Sequence, residues 1–343
     1  MKALIVTEPG RLTLGELSSP KPGPFEALVR IRGCGLCATT DRELIKGRQP
    51  YHKDYPAVLG HEGVGEVVEL GTKVSSFKVG DLVTRPTAIW PGTKRDGLAS
   101  AWGGFAEWGI VRDRLAMAAA GDASLLNDYT ALRQQIVPSG LSVADAVLSI
   151  SLSETSSWFR HLPPVAGKTV CIAGTGIAGL SMILWSVFAG AEKIFVIGRR
   201  AERLRLAVEL GADHGLNIND GPLRPRLVAL NGGRGVDFFL EAVGQRDQVQ
   251  VGLSLLAPGG LVAIYGVPEK LEYAPLALGD GPGWAGVAHL PAEEHRTHRW
   301  VCGLIKRGLI PTSKLMTHHW PLASFAEAFA NEREVVKGWL QID

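Results

Sequence analysis

The chain has 343 residues, 46% of them hydrophobic and 20% charged, and a formal net charge of +2. A balance this near neutral, with no run of like charge, argues against nucleic acid or an acidic membrane surface as a partner. The length exceeds what one core usually serves, so two domains are expected, and four cysteines fit reduced thiols in the cytoplasm better than a disulfide framework.

The opening "MKALIVTEPG" has one lysine and a short apolar run, too brief for the core of a signal peptide. Up to about residue 150 the chain reads as short strands separated by turns. "EALVRIRGCGL" (26–36), "GVGEVVELG" (63–71) and "FAEWGIVR" (105–112) are β-rich, and "KPGP" (21–24), "KVGD" (78–81) and "WPGTKRDG" (90–97) punctuate them. From about residue 168 the rhythm changes. The expected elements are a strand in "KTVCIAG", a helix over 177–190, a strand over 193–198 and a helix over 201–211. A strand over 236–244, a helix over 248–260, a strand in "LVAIYGV" (261–267), a loop at 279–286 and a helix over 293–308 follow. Strands alternating with helices imply a parallel sheet covered on both faces. Residues 169–191 carry no charge and are long enough to cross a bilayer. Gly174, Gly176 and Gly179 within them read instead as a buried strand turning into a buried helix, so no membrane is expected.

Those glycines form Gly174-x-Gly176-x-x-Gly179 directly after a strand and at the opening of a helix. In that context the spacing is a dinucleotide signature. The first glycine permits a tight turn, the second admits a pyrophosphate to the backbone, and the third lets helix and strand pack closely. The helix start, at Ile177 and Ala178, offers free amides and a positive dipole end. Ala242, Val243 and Gly266, at later strand ends, are further candidate cofactor contacts. An NAD enzyme usually ends its second strand on a carboxylate. Here Gly198 stands in that place, followed by Arg199 and Arg200. Two guanidiniums suit a 2′-phosphate, so NADP is expected over NAD.

With these residues in view, the chain resembles the medium-chain dehydrogenase/reductase family, in particular its zinc-type alcohol and polyol dehydrogenases. The resemblance runs nearly end to end, through "CGLC" followed by "TD", "GHEGVGEVVELG" (60–71), "VGD" (79–81), "GGFAEW" (103–108), the glycine loop, "EAVG" (241–244) and "APGG" (257–260). It implies an α/β chain with a GroES-like β-rich catalytic domain at 1–151 and 289–343 and a Rossmann doubly wound parallel-sheet domain at 152–288. It also implies a homodimer or homotetramer joined edge to edge near "LVAIYGV". In the family's pattern Cys37 and His61 are zinc ligands, Glu62 is a ligand or supporting carboxylate, Cys34 is not a ligand, and Thr39 or Thr40 relays the proton.

The chain departs from that pattern in three places. No cysteine lies between Cys37 and Cys171, so a structural zinc is not expected. "CATTD" has one residue more than usual between the zinc cysteine and the hydroxyl before the aspartate, which leaves the relay open between Thr39 and Thr40. Ser151 stands where the family's remaining zinc ligand stands, and Glu154, one helical turn on, is the residue expected to complete the shell. The stretch 118–135 is longer than the family usually has. Trp90, Trp102, Trp158, His52, Lys94 and Arg95 are cleft candidates by position. The leading reading is an NADP-linked enzyme interconverting a polyol or cyclitol-like secondary alcohol and its ketone at a weakened zinc site. Two others stand beside it: a zinc-free reductase of the same fold, and a nucleotide-binding protein without catalysis.

Overall fold

The computed structural model describes residues 1–49, 52–266, 286–289 and 292–343, the side chains of 246 and 286–289 excepted. The chain divides into two compact units, Met1–Ser153 with His295–Asp343, and Glu154–Glu294.

The first unit is built on two sheets. One runs in the order Arg11–Glu16, Lys2–Glu8, Ala57–Val58, Leu98–Ser100, Lys94–Arg95. The other runs Met316–Pro321, Lys337–Gln341, Glu26–Gly35, Gly63–Leu70, Leu82–Thr84, and Trp108–Arg112 also pairs with Glu26–Gly35. Burial alternates along most of Glu26–Gly35, as a strand with one packed face requires. Its last three residues are buried on both faces. There Leu340, from the C-terminal strand, lies opposite Cys34. The main core joins Leu4, Val6, Val58, Leu59 and Phe105 to Trp320, Leu340 and Ile342 near the C-terminus. The short helix Thr40–Ile45 follows Cys37 directly.

The second unit holds a six-stranded sheet whose pairings are all parallel. Its order is His214–Asn217, Lys193–Gly198, Thr169–Ala173, Val236–Glu241, Leu256–Ile264, Gly286–His289. Parallel neighbours require crossovers, supplied here by helices such as Ile177–Phe188 and Ala201–Glu209. Thr169–Ala173 is buried throughout and lies where the strand order reverses, the position at which open α/β sheets bind ligands. The uncharged run 169–191 thus divides into a strand and a helix. Among the described residues no helix is long and apolar enough to cross a membrane.

Several expected boundaries shift. The helix expected over 248–260 runs Arg246–Leu255, and the strand begins at Leu256. Ala257 precedes Pro258, and a residue before proline is pushed out of the helical region. "LVAIYGV" is not at the sheet edge, because Gly286–His289 pairs outside it. The helix expected over 293–308 is a 3₁₀ turn, Glu294–Arg296, and then His298–Lys306. The expected loop at 279–286 lies outside the described residues apart from Gly286, as does Val267.

Candidate active site

Cys37, His61 and Glu62 converge in the first unit. Their ligand atoms all lie within 4.8 Å of one another. Donors bound to one tetrahedral zinc stand roughly 3.5 Å apart, so a small contraction fits this set to the metal. Cys37 leaves the end of the strand Glu26–Gly35, and His61 and Glu62 lead into its neighbour Gly63–Leu70. Antiparallel pairing sets Cys34 opposite Gly63, which brings the two segments together.

Asp41 fixes the geometry. It is fully buried; its Oδ1 accepts from His61 Nδ1 at 3.1 Å and its Oδ2 from the Cys37 amide at 2.9 Å. The other ring nitrogen, Nε2, is therefore the one turned to the cluster, 3.9 Å from Glu62 Oε1. Burial would lower the His61 pKa, but the charge and hydrogen bond of Asp41, aided by Cys37, raise it to about 10. Burial would raise the Cys37 thiol, yet the hydrogen bond and charge of His61 bring it below its ordinary value. Each of the two groups thus favours the charged form of the other.

Glu62 is 5% exposed and carries two further partners. Ser151 Oγ donates to its Oε1 at 3.3 Å, and Lys337 Nζ forms an ion pair with its Oε2. Lys337 is buried and also donates to the Leu36 carbonyl at 2.9 Å. Burial would lower the Lys337 pKa, but Glu62 and Cys37 hold it above its ordinary value. Glu154 is not in the cluster. It belongs to the second unit, where its Oε1 accepts from the Tyr265 hydroxyl at 3.2 Å. The Thr40 amide points at Cys37 Sγ at 3.4 Å, and Thr39 is exposed.

Of the positional cleft candidates, Trp102 lies beside the cluster, its ring centroid 5.5 Å from that of His61. Trp90 lies under the Arg112 guanidinium at 3.9 Å, His52 meets Tyr55 edge-on at 5.1 Å, and Lys94 reaches Asp54 at 3.7 Å. Arg95 lies in a two-residue strand, and Trp158 is 1% exposed inside the second unit. Sequence reasoning did not single out Lys337, Arg85 or Arg133, and it noted Asp41 only as a neighbouring carboxylate.

The glycine loop of the second unit has the shape its spacing implies. Gly174 has φ +112, a left-handed value. A Cβ on Gly179 would stand 2.1 Å from the Gly174 carbonyl oxygen, so helix and turn touch backbone to backbone. A Cβ on Gly176 would meet nothing within 4 Å, which leaves open ground for a diphosphate above the helix start at Ile177 and Ala178. Glu241 gathers the neighbouring strand ends. Its Oε1 accepts from the Val243 and Gly244 amides at 2.8 and 2.9 Å, and its carbonyl from those of Tyr265 and Gly266. Burial raises its pKa against the pull of those amides. Val243 and Gly266 are thereby held to Glu241, and Gly174 packs against Ala242 and Val243. Gly198 packs against Thr175, Arg199 is exposed, and Arg200 precedes the helix Ala201–Glu209.

Comparison with known proteins agrees with both halves. The family model described as the alcohol dehydrogenase GroES-like domain matches residues 23–120, and that described as zinc-binding dehydrogenase matches 178–279. An alcohol dehydrogenase of Cupriavidus necator is 30% identical, over 98% of this chain and 97% of its own length. The chain belongs to the zinc-type medium-chain dehydrogenase/reductase family. An NADP-dependent isopropanol dehydrogenase of Thermoanaerobacter brockii is 29% identical over 93% of this chain and 92% of its own. The structure of an alcohol dehydrogenase from Thermus sp. ATN1 superposes with a TM-score of 0.81 over the whole of both chains at 25% identity. As a member of this family the chain is an alcohol dehydrogenase/reductase. The β-rich first unit is GroES-like and the second is a Rossmann sheet.

Proposed function

We propose that this chain is an NADP(H)-linked oxidoreductase that interconverts a secondary alcohol and its ketone by hydride transfer. Cys37, His61 and Glu62 would hold one catalytic zinc, and no structural zinc accompanies it. The observation that carries the reading is the convergence of these three donors, with Asp41 fixing the His61 tautomer. Zinc, when bound, supplies a Lewis acid that polarises the substrate oxygen, and the nicotinamide gives or takes the hydride. The protein's own groups do the rest. Asp41 orients His61 and the Cys37 amide. Of the two hydroxyls we assign the proton relay to Thr40, whose amide already contacts Cys37 Sγ. Gly174, Gly176, Gly179 and the amides of Ile177 and Ala178 cradle the diphosphate, and Arg199 and Arg200 bind the 2′-phosphate. The substrate is polyol-like, in keeping with the hydroxyls beside the cluster. The working form is a cytoplasmic homodimer or homotetramer.

One observation favours a zinc-free variant of this reading. Lys337 already neutralises Glu62, and Ser151 brings a hydroxyl where a stronger ligand usually stands. The test is NADPH formation on a panel of secondary alcohols and polyols, before and after chelation and zinc return. Turnover that falls with chelation and recovers with zinc supports the zinc site. Turnover indifferent to chelation gives the zinc-free reductase. NADPH binding with no turnover on any alcohol or ketone would defeat both.

A further inference from the structure

In the second unit Tyr265 and Glu154 are joined by a hydrogen bond that belongs neither to the metal cluster nor to the glycine loop. We propose that the Tyr265 ring is the wall against which the nicotinamide lies, and that Glu154 is the residue that positions this ring. The inference rests on the dinucleotide reading of the glycine loop.

The order of the sheet sets the direction in which a dinucleotide runs. Arg199 and Arg200 follow the strand Lys193–Gly198, and the glycine turn follows its neighbour Thr169–Ala173. With the 2′-phosphate at the first strand end and the diphosphate at the second, the nicotinamide half extends the other way. It then lies over the ends of Val236–Glu241 and Leu256–Ile264. Tyr265 is the residue directly after Leu256–Ile264, two strands or roughly 10 Å from the glycine turn. Its amide donates to the Glu241 carbonyl at 2.9 Å, and the turn after Glu241 is the one that touches Gly174. Ile264 and Gly266 on either side are buried, whereas Tyr265 is half-buried and keeps part of its surface open.

The ring is held on its inner side. The Tyr265 hydroxyl donates to Glu154 Oε1 at 3.2 Å, and Trp158 meets the ring edge-on with centroids 5.5 Å apart. Glu154 and Trp158 stand one turn apart on the helix Val143–Phe159, so they reach the ring from one face of that helix. Thr155, between them, is tied to the helix Ile177–Phe188. Trp185 Nε1 donates to Thr155 Oγ1 at 3.0 Å, and Ser181 Oγ lies 2.9 Å from the same atom and 2.8 Å from the Ala178 carbonyl. Residues 154–158 thus connect the strand end that carries Tyr265 to the helix whose first residues face the diphosphate. A flat ring fixed at that place, with one side open, suits the offset stacking of another flat ring. It covers one face of the nicotinamide and leaves the other to exchange the hydride.

The experiment compares ligands that differ only in the nicotinamide, titrated calorimetrically into the full-length protein: NADP⁺ against 2′-phospho-ADP-ribose, and NAD⁺ against ADP-ribose. Tyr265→Leu keeps bulk and removes the ring. It should weaken NADP⁺ by about three- to tenfold, the scale of an aromatic pair, and leave 2′-phospho-ADP-ribose at the parent affinity. Glu154→Ala and Tyr265→Phe remove the same hydrogen bond. Each should give the same smaller loss, for NADP⁺ alone, and the double variant should lose no more than either. Glu154→Gln keeps an acceptor for the hydroxyl and should restore the parent ratio of the two affinities. Equal weakening of both ligands by Tyr265→Leu, or of neither, overturns the wall. Losses from Glu154→Ala and Tyr265→Phe that simply add overturn the positioning role. If Tyr265→Leu does not fold, the ratio in the other two single variants decides, and an unchanged ratio in both overturns the proposal. A parent that binds only NAD⁺ and ADP-ribose removes the 2′-phosphate reading, and the same comparison on that pair then decides Tyr265. A parent that binds no dinucleotide removes both.

Discussion

His61 shows at the scale of one residue how this site is assembled. A histidine can present either ring nitrogen, and Asp41 settles which by accepting from Nδ1. Asp41→Asn should therefore weaken zinc binding, by roughly 10–100-fold as for other carboxylates that orient ligating histidines. Competition with a chromophoric chelator measures it, and unchanged affinity would mean the ring is held by something else. Lys337 offers a second test, because it is the cation paired with buried Glu62. Lys337→Met should destabilise the metal-free protein by roughly 3–5 kcal/mol, the usual cost of stranding one half of a buried ion pair. Added zinc should return much of that loss, since it supplies Glu62 with a new cation. Denaturant unfolding with and without zinc is the measurement, and a loss that zinc leaves untouched would place Glu62 outside the ligand set. The sequence made Cys37, His61 and Glu62 visible, because each sits in a short local motif. It could not make Lys337 visible. A single lysine in "VVKGWLQID" reads as the polar face of a strand, and only tertiary pairing sets it against a carboxylate far back in the chain.

At the scale of elements, the strand–turn–helix around the glycines separates two functions that one motif combines. Gly176 has ordinary φ and open space beyond its missing Cβ, so Gly176→Val should fold normally and lose NADPH. Gly179 has no such space, and Gly179→Ala must push helix from turn, lowering thermal stability as well as binding. Thermal melts beside NADPH titrations distinguish the pair, and NADPH affinity unchanged in Gly176→Val would show that the loop is not the cradle. The next strand end bears on cofactor choice. Changing both Arg199 and Arg200 to alanine should cost NADPH about 2–4 kcal/mol and NADH much less, since only the former carries the 2′-phosphate. Equal losses for the two cofactors would remove that role. These elements were legible because strands buried on both faces read as unbroken apolar runs. The helix Val143–Phe159, which supplies Ser151, was not assigned in advance. Nearly all of it is buried, so it lacks the polar face that gives a helix its period. Its hydroxyls also turn back onto the helix, as Ser149 does to the Ala146 carbonyl at 2.7 Å and Ser157 to that of Glu154 at 2.8 Å.

For the whole molecule the open question is what covers the end of the Rossmann sheet. Gly286–His289 pairs on one side with Leu256–Ile264 and is the last strand of the sheet among the described residues. The far side of an edge strand presents amides and carbonyls that favour another strand. In a twofold dimer the same edge can meet its own copy, extending one sheet across two chains. A net charge of only +2 offers little repulsion against such association. The sequence pointed to the neighbouring strand for this contact, because the edge strand itself is four residues long and follows a glycine- and proline-rich stretch that hides its pattern. The chain should therefore sediment as a dimer or tetramer at micromolar concentration. Hydrogen exchange should find amides within 286–289 protected, with protection falling as the protein is diluted toward monomer. A monomer at every concentration would overturn the assembly. An oligomer whose 286–289 amides exchange freely would keep the association and move it to another surface.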